Sequence, residues 1–110
     1  MSAFRIMWLM VMFDLPTQSK KDRKLYRWFT RYIDAQGYVR LQYSVYAKVF
    51  NSLESANHGK KRLRNFLERN IKRGNVRMIL FTDAQFARME IVVGEQSLQE
   101  EVTQKSLFDF

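Results

Sequence analysis

At 110 residues, with 46% hydrophobic and 15% aromatic side chains, the chain is long enough for one packed core and too apolar to be disordered. Four Gly and one Pro exclude a collagen repeat or a Pro/Gly linker, and the lack of Cys excludes disulfide scaffolds, thiolate metal centres and a cysteine nucleophile. A net charge of +8 on so small a domain points to a polyanionic partner, first of all nucleic acid.

The first predicted element is a strand over 4–13. Arg5 followed by the apolar run from Ile6 to Phe13 resembles the front of a secretory signal. Eight apolar residues fall well short of the roughly 20 that span a bilayer. Asp14-Leu15-Pro16 then reads as a turn, with no small-residue cleavage site. The run is a strand buried on both faces, and the chain is expected to have no membrane anchor and to be cytoplasmic. Ser19-Lys20-Lys21-Asp22 resembles a capping box, with Asp22 in place of the usual Glu. A helix follows to about Gln36, carrying an apolar stripe of Leu25, Trp28, Phe29, Tyr32 and Ile33, and Gly37 supplies its stop.

Residues 38–46 predict a second strand, with 47–50 continuing it or pairing beside it. Residues 51–56 turn into a second helix running to about Arg73, with Leu63, Phe66, Leu67 and Ile71 facing inward. Gly59 weakens its first turns. Gly74-Asn75 ends it, 76–82 forms a strand, and 89–93 a shorter one. The order β-α-β-β-α-β plus an extra C-terminal strand makes a single α+β domain over 1–110, a ferredoxin-like sandwich with both helices on one sheet face.

Charge is divided along this order. Residues 1–82 hold 17 basic and 5 acidic side chains, net +12, whereas 83–110 hold 2 basic and 6 acidic, net −4. A cationic binding surface therefore comes from the first three-quarters of the chain. On the first helix Lys20, Lys24, Arg27 and Arg31 recur at i, i+4, i+7 and i+11, within an arc of about 60° and nearly opposite the apolar stripe, with Arg23 at the edge. Such a row is either a solvated face or a line of phosphate contacts. The second cluster, Lys60, Lys61, Arg62, Arg64, Arg69, Lys72 and Arg73, spreads around its helix. Neither is interleaved with aromatics in the manner of a single-strand stacking platform, so backbone reading of a duplex suits them better. The Lys/Arg-Gly-aromatic pattern of RNA-recognition modules is missing.

Asp14 closes the first strand just before the basic helix. It reads either as an Asx-turn at the corner or as a metal-binding carboxylate. One Asp per chain is a poor metal site, whereas two copies across a two-fold axis make a plausible one for Mg²⁺. His58, beside Gly59, reads as a surface residue. Ser44 has no His or Lys partner for a nucleophilic role.

The stretches Phe13-Asp14-Leu15-Pro16, Lys20-Lys21-Asp22-Arg23-Lys24-Leu25-Tyr26-Arg27-Trp28-Phe29, Gly37-Tyr38 and Leu41-Gln42-Tyr43-Ser44-Val45-Tyr46 together resemble the CRISPR-associated protein two family, the small subunit of the spacer-acquisition machinery. Gln85-Phe86-Ala87-Arg88-Met89-Glu90 with Val93-Gly94-Glu95 is similar to the C-terminal part of members from type II systems. The resemblance implies a ferredoxin-like homodimer whose terminal strand completes the partner's sheet. On that basis about 1–82 is the core, while 83–110, with Leu107-Phe108-Asp109-Phe110, serves a dimer or partner interface. It implies that Asp14 is the catalytic, metal-binding residue, one Mg²⁺ being shared between the two Asp14 of the dimer. It makes Arg23, Arg27 and Arg31 candidate nucleic-acid contacts, beside Lys20 and Lys24 of the cation row. The implied activity is metal-dependent endonuclease cleavage of RNA or double-stranded DNA. The implied assembly is a bridge between integrase dimers that holds a prespacer duplex. Assembly is implied more strongly than turnover. The alternative, outside the family, is a ferredoxin-like RNA-binding regulator with no role in integration.

Overall fold

The computed structural model describes residues 6–95. The start of the first predicted strand and the Leu107-Phe108-Asp109-Phe110 segment lie outside the described residues. The central strand is β1 (Met7–Asp14), antiparallel to β3 (Val45–Phe50) on one side and to β4 (Asn75–Thr82) on the other. The strand β2 (Val39–Gln42) pairs with β3, giving the order β2-β3-β1-β4. Helices α1 (Lys20–Ala35) and α2 (Leu53–Asn70) cover one face, as expected for a ferredoxin-like α+β sandwich. No helix among the described residues is long and apolar enough to cross a membrane.

Pleat alternation divides β1 between two cores. Leu9, Val11 and Phe13 point to the helices and pack with Phe29 and Ile33 of α1, Tyr38, Tyr46, and Leu63 and Leu67 of α2. Each such buried side chain contributes roughly 1.5–3 kcal/mol. Trp8 and its neighbours face the other way and form a smaller cluster with Ala47 and Phe86, flanked by Met10, Val39, Leu41, Val49 and Phe81. The first strand is thus buried on both faces over its first half, while Met10 and Met12 remain half-buried on the open side.

Both ends of α1 follow local rules and one tertiary contact. Ser19 Oγ accepts from the Asp22 N–H at 3.0 Å and Asp22 Oδ2 accepts from the Ser19 N–H at 3.3 Å, the expected capping box with Asp in the third position. Gly37 takes φ +92° at the other end. The last turn has no basic residue of its own, so Lys48 of β3 donates its Nζ to the Gln36 carbonyl at 2.7 Å. Partial burial, with Arg62 nearby, pulls the Lys48 pKa below its ordinary value. Gly59 is accounted for by packing: a Cβ there would lie 2.4 Å from Phe50 Cζ, so α2 accepts a weak helix former to approach the sheet.

Three expectations are corrected and one element is added. Residues 38–46 are not one strand: the chain reverses at Tyr43–Ser44, with Gln42 opposite Val45 and a register shift between Arg40 and Gln42. That turn holds no Gly, Asn or Pro, so nothing in its composition interrupts the β-pattern. The second helix ends at Asn70 rather than Arg73, because Ile71 adopts φ −112°, ψ 115° and leaves the axis to pack against the core. A short helix, α3 (Asp83–Ala87), follows β4 directly, closed by a capping box in which Thr82 Oγ1 accepts from the Gln85 N–H at 3.1 Å and Gln85 Oε1 from the Thr82 N–H at 2.9 Å. The additional strand over 89–93 is not formed in the single chain. Downstream of α3 the segment finds no ladder partner among the described residues, leaving Val92 and Val93 83% and 91% exposed.

Candidate functional site

The strand-end carboxylate sits where β1 gives way to the loop leading into α1. Asp14 is exposed and pairs in register with Asn75 of β4. On the other side the Phe13 N–H donates to the Ser44 carbonyl at 3.0 Å, so the Tyr43–Ser44 turn flanks the same end of the sheet. The pleat puts Asp14 on the face of Trp8, Met10 and Met12, the side opposite the helices. Gly74 packs against its backbone: a Cβ there would lie 2.5 Å from the Asp14 carbonyl oxygen, and the residue has φ +94°. Gly74→Ala combines left-handed strain with a backbone clash and should cost about 2–3 kcal/mol, checked by urea unfolding.

Among the described residues no three His, Cys, Asp or Glu side chains are grouped as metal ligands. The strand end offers Asp14 as an exposed carboxylate, a donor of the kind a hard cation such as Mg²⁺ takes in ones or twos while keeping waters elsewhere.

The cation row forms as spaced. Lys20, Lys24, Arg27 and Arg31 are all exposed along α1, opposite the buried Phe29 and Ile33. Among the described residues the sole ion pair is Arg73 with Asp22, at 3.3 Å, so the row is not neutralised by a neighbouring carboxylate. Arg23 differs from the rest. Its Nη1 donates to the Gln18 and Thr17 carbonyls at 2.8 and 3.2 Å and secures the β1–α1 loop.

The apolar stripe is not uniformly inward. Trp28 lies only about 70° around the helix from the centre of the cation row and is 44% exposed. Two further cations are not evident from sequence spacing. Arg77 pairs in register with Met12, on the Asp14 face, and Arg40 lies 5.1 Å from the Tyr43 ring centroid at the hairpin turn. Strand register is the signal that finds Arg77. Arg40 requires the turn to be recognised.

An antiparallel ferredoxin-like sheet, an exposed aspartate ending its first strand and a cation-lined first helix define a small, basic α+β domain. Comparison with known proteins identifies its kind. The chain belongs to the family described as CRISPR associated protein Cas2, whose model matches residues 7–89. It is 37% identical over 92 residues to the CRISPR-associated endoribonuclease Cas2 of Acidovorax ebreus, covering 84% of this chain and 87% of the relative. The protein of the same name from Campylobacter jejuni is 36% identical over 108 residues, covering 96% of this chain and 73% of the relative. That from Flavobacterium psychrophilum is 32% identical over 99 residues, covering 90% and 84%.

Proposed function

We propose that the protein is a duplex-binding subunit of CRISPR adaptation, working as a homodimer that bridges integrase dimers and holds the prespacer duplex across its basic helices. The observation that carries this reading is the row of four exposed cations on α1, unopposed by carboxylates among the described residues. Like charges one helical turn apart repel by a few tenths of a kcal/mol per pair. A line of phosphates relieves that cost and releases counterions on binding. The homodimer is supported by the open sheet face, where Ile79 is 49% exposed beside half-buried Met10 and Phe81. An isologous pairing of that face covers apolar surface and puts both Asp14 side chains on the same interface.

Metal-dependent phosphodiester cleavage is a second activity of the same dimer. Its support is the pleat position of Asp14, on the face that pairing would bring together. The two Asp14 carboxylates would hold Mg²⁺, which when bound supplies an activated water and neutralises phosphate charge. The chain's own contribution is to hold the carboxylates at the ends of rigid central strands, with Arg77 on the same sheet face to meet a phosphate. The name the relatives carry, endoribonuclease, favours RNA as one substrate.

Arg27→Glu with Arg31→Glu tests the duplex reading. Both residues are exposed, so the fold should be kept. Duplex affinity, read by anisotropy across a salt series, should fall by tenfold or more. The slope of log K against log salt should flatten by roughly one unit for each phosphate no longer neutralised. Unchanged affinity and slope would reject the helix-face assignment.

A further inference from the structure

A groove runs between the N-terminal half of α1, the β1–α1 corner and the chain leaving α2. Its volume is about 670 Å³, within the roughly 300–1,000 Å³ range of ligand sites. Leu15, Pro16 and Leu25 make its apolar lining, together with the ring of Trp28. Its charged lining is Lys21, Lys24, Lys72 and Arg73, with Asp22 the one acid among them. Of these, Arg73 is held by Asp22, leaving three lysines without an ion-pair partner among the described residues.

Trp28 is the unusual member. A tryptophan on a helix next to a sheet is normally drawn into the core, but here the core side of α1 is filled by Phe29 and Ile33. Trp28 instead leans on Phe66 of α2, with ring centroids 5.2 Å apart, and leaves nearly half its surface open. An open Trp in an apolar trough with a cationic rim has the composition of a protein-recognition site: an aromatic anchor ringed by polar, charged residues. It fits nucleic acid less well. A sugar-phosphate backbone gains nothing from Leu15, Pro16 and Leu25, and the α1 row already offers phosphates an uninterrupted line of cations.

We infer that this groove docks an acidic peptide segment bearing bulky apolar side chains, supplied by a partner protein. The apolar side chains would seat against Trp28, Leu25 and Pro16, and the flanking carboxylates would meet Lys21 and Lys72. Charge complementarity selects the acidic class, because a neutral or basic peptide would leave the lysine rim unpaired or repelled. The site is distinct from the α1 cation row that carries the duplex-binding proposal and shares only Lys24 with that row.

The probe is the labelled peptide Glu-Glu-Phe-Leu-Glu-Leu-Glu-Glu, titrated into the full chain. Anisotropy should rise saturably. Intrinsic emission should shift to the blue as Trp28 is covered, since Trp8 is already buried. Trp28→Ala should weaken binding by about tenfold or more. Lys21→Glu with Lys72→Glu, both at exposed positions, should weaken it comparably and abolish its salt dependence even if the tryptophan variant folds poorly. A control peptide with the Leu and Phe residues replaced by Ser should not bind. The inference is overturned if the acidic peptide fails to bind, or if it binds both variants as tightly as the parent. It is equally overturned if a short single-stranded oligonucleotide, and not the peptide, shifts Trp28 emission, since the groove would then read bases. Arg27→Glu with Arg31→Glu should leave peptide binding intact, so failure of the duplex reading and failure of this one are distinguishable.

Discussion

Asp14→Asn is expected to reduce metal-dependent cleavage by a hundredfold or more while leaving dimerisation and duplex binding in place. The swap conserves shape and removes the charge that a hard divalent cation requires, and it does so twice in a two-fold dimer. Losing about 3 kcal/mol of transition-state stabilisation corresponds to roughly two orders of magnitude in rate. The variant should fold normally: Asp14 is exposed, and the ladder beside it uses backbone groups alone. Cleavage of labelled RNA and of duplex DNA should be followed with Mg²⁺ and with EDTA, alongside duplex affinity and spacer integration. Cleavage that survives in the variant removes Asp14 from the chemistry. Cleavage lost with integration retained makes the protein a scaffold whose hydrolysis is incidental. Integration lost with duplex affinity retained would give the carboxylate pair a task in the assembly itself.

The elements whose local chemistry and tertiary packing agree were legible in the sequence. The stripe, capping box and terminal glycine of α1 specify one helix, and Ser19, Asp22 and Gly37 take those roles. The apolar run of β1, closed by Asp14 and Pro16, specifies a central strand, and its two-sided burial follows from having helices on one face and α3 on the other. The hairpin at Tyr43–Ser44 was hidden because a two-residue reversal without glycine looks like continued strand. The α3 helix was hidden by its length, although Thr82 and Gln85 carry a capping-box spacing in plain view. The expected strand over 89–93 failed for a different reason. Its composition is strand-like, but pairing is a property of two segments, and the described residues of one chain supply no second. At the site, the exposed cation row could be read from helical spacing and Asp14 from its place at the end of an apolar strand. Arg77 could not, since its place beside the carboxylate exists only through the β1–β4 register. Nor could the openness of Trp28, which depends on α1 turning Phe29 and Ile33 inward ahead of it.

An equally large loss of stability is expected at the other end of the sheet. Asp83, 2% exposed, accepts a hydrogen bond from Trp8 Nε1 at 2.7 Å, and its own N–H donates to the Ile6 carbonyl at 2.9 Å. The Trp8 ring then stacks on Phe86 with centroids 4.0 Å apart and planes 7° from parallel. These contacts seat α3 on the sheet face that the proposed dimer uses. Asp83→Ala strands a buried indole N–H and removes a first-turn acid from α3. We expect a cost of about 2–3 kcal/mol, a fall in Tm on the order of 10–20 °C for a domain of this size. Near-UV circular dichroism should lose the Trp8 signal along with it. A double-mutant cycle assigns the cause. In a Trp8→Phe background the indole is gone and Asp83 is itself unpaired, so Asp83→Ala should become nearly neutral. If its cost persists there undiminished, the hydrogen bond is not what holds α3. Should the cycle close as expected, the same variants report on assembly: releasing α3 uncovers Trp8 and Phe81 and changes the surface offered to a second copy. Sedimentation should then show altered association well below the unfolding transition.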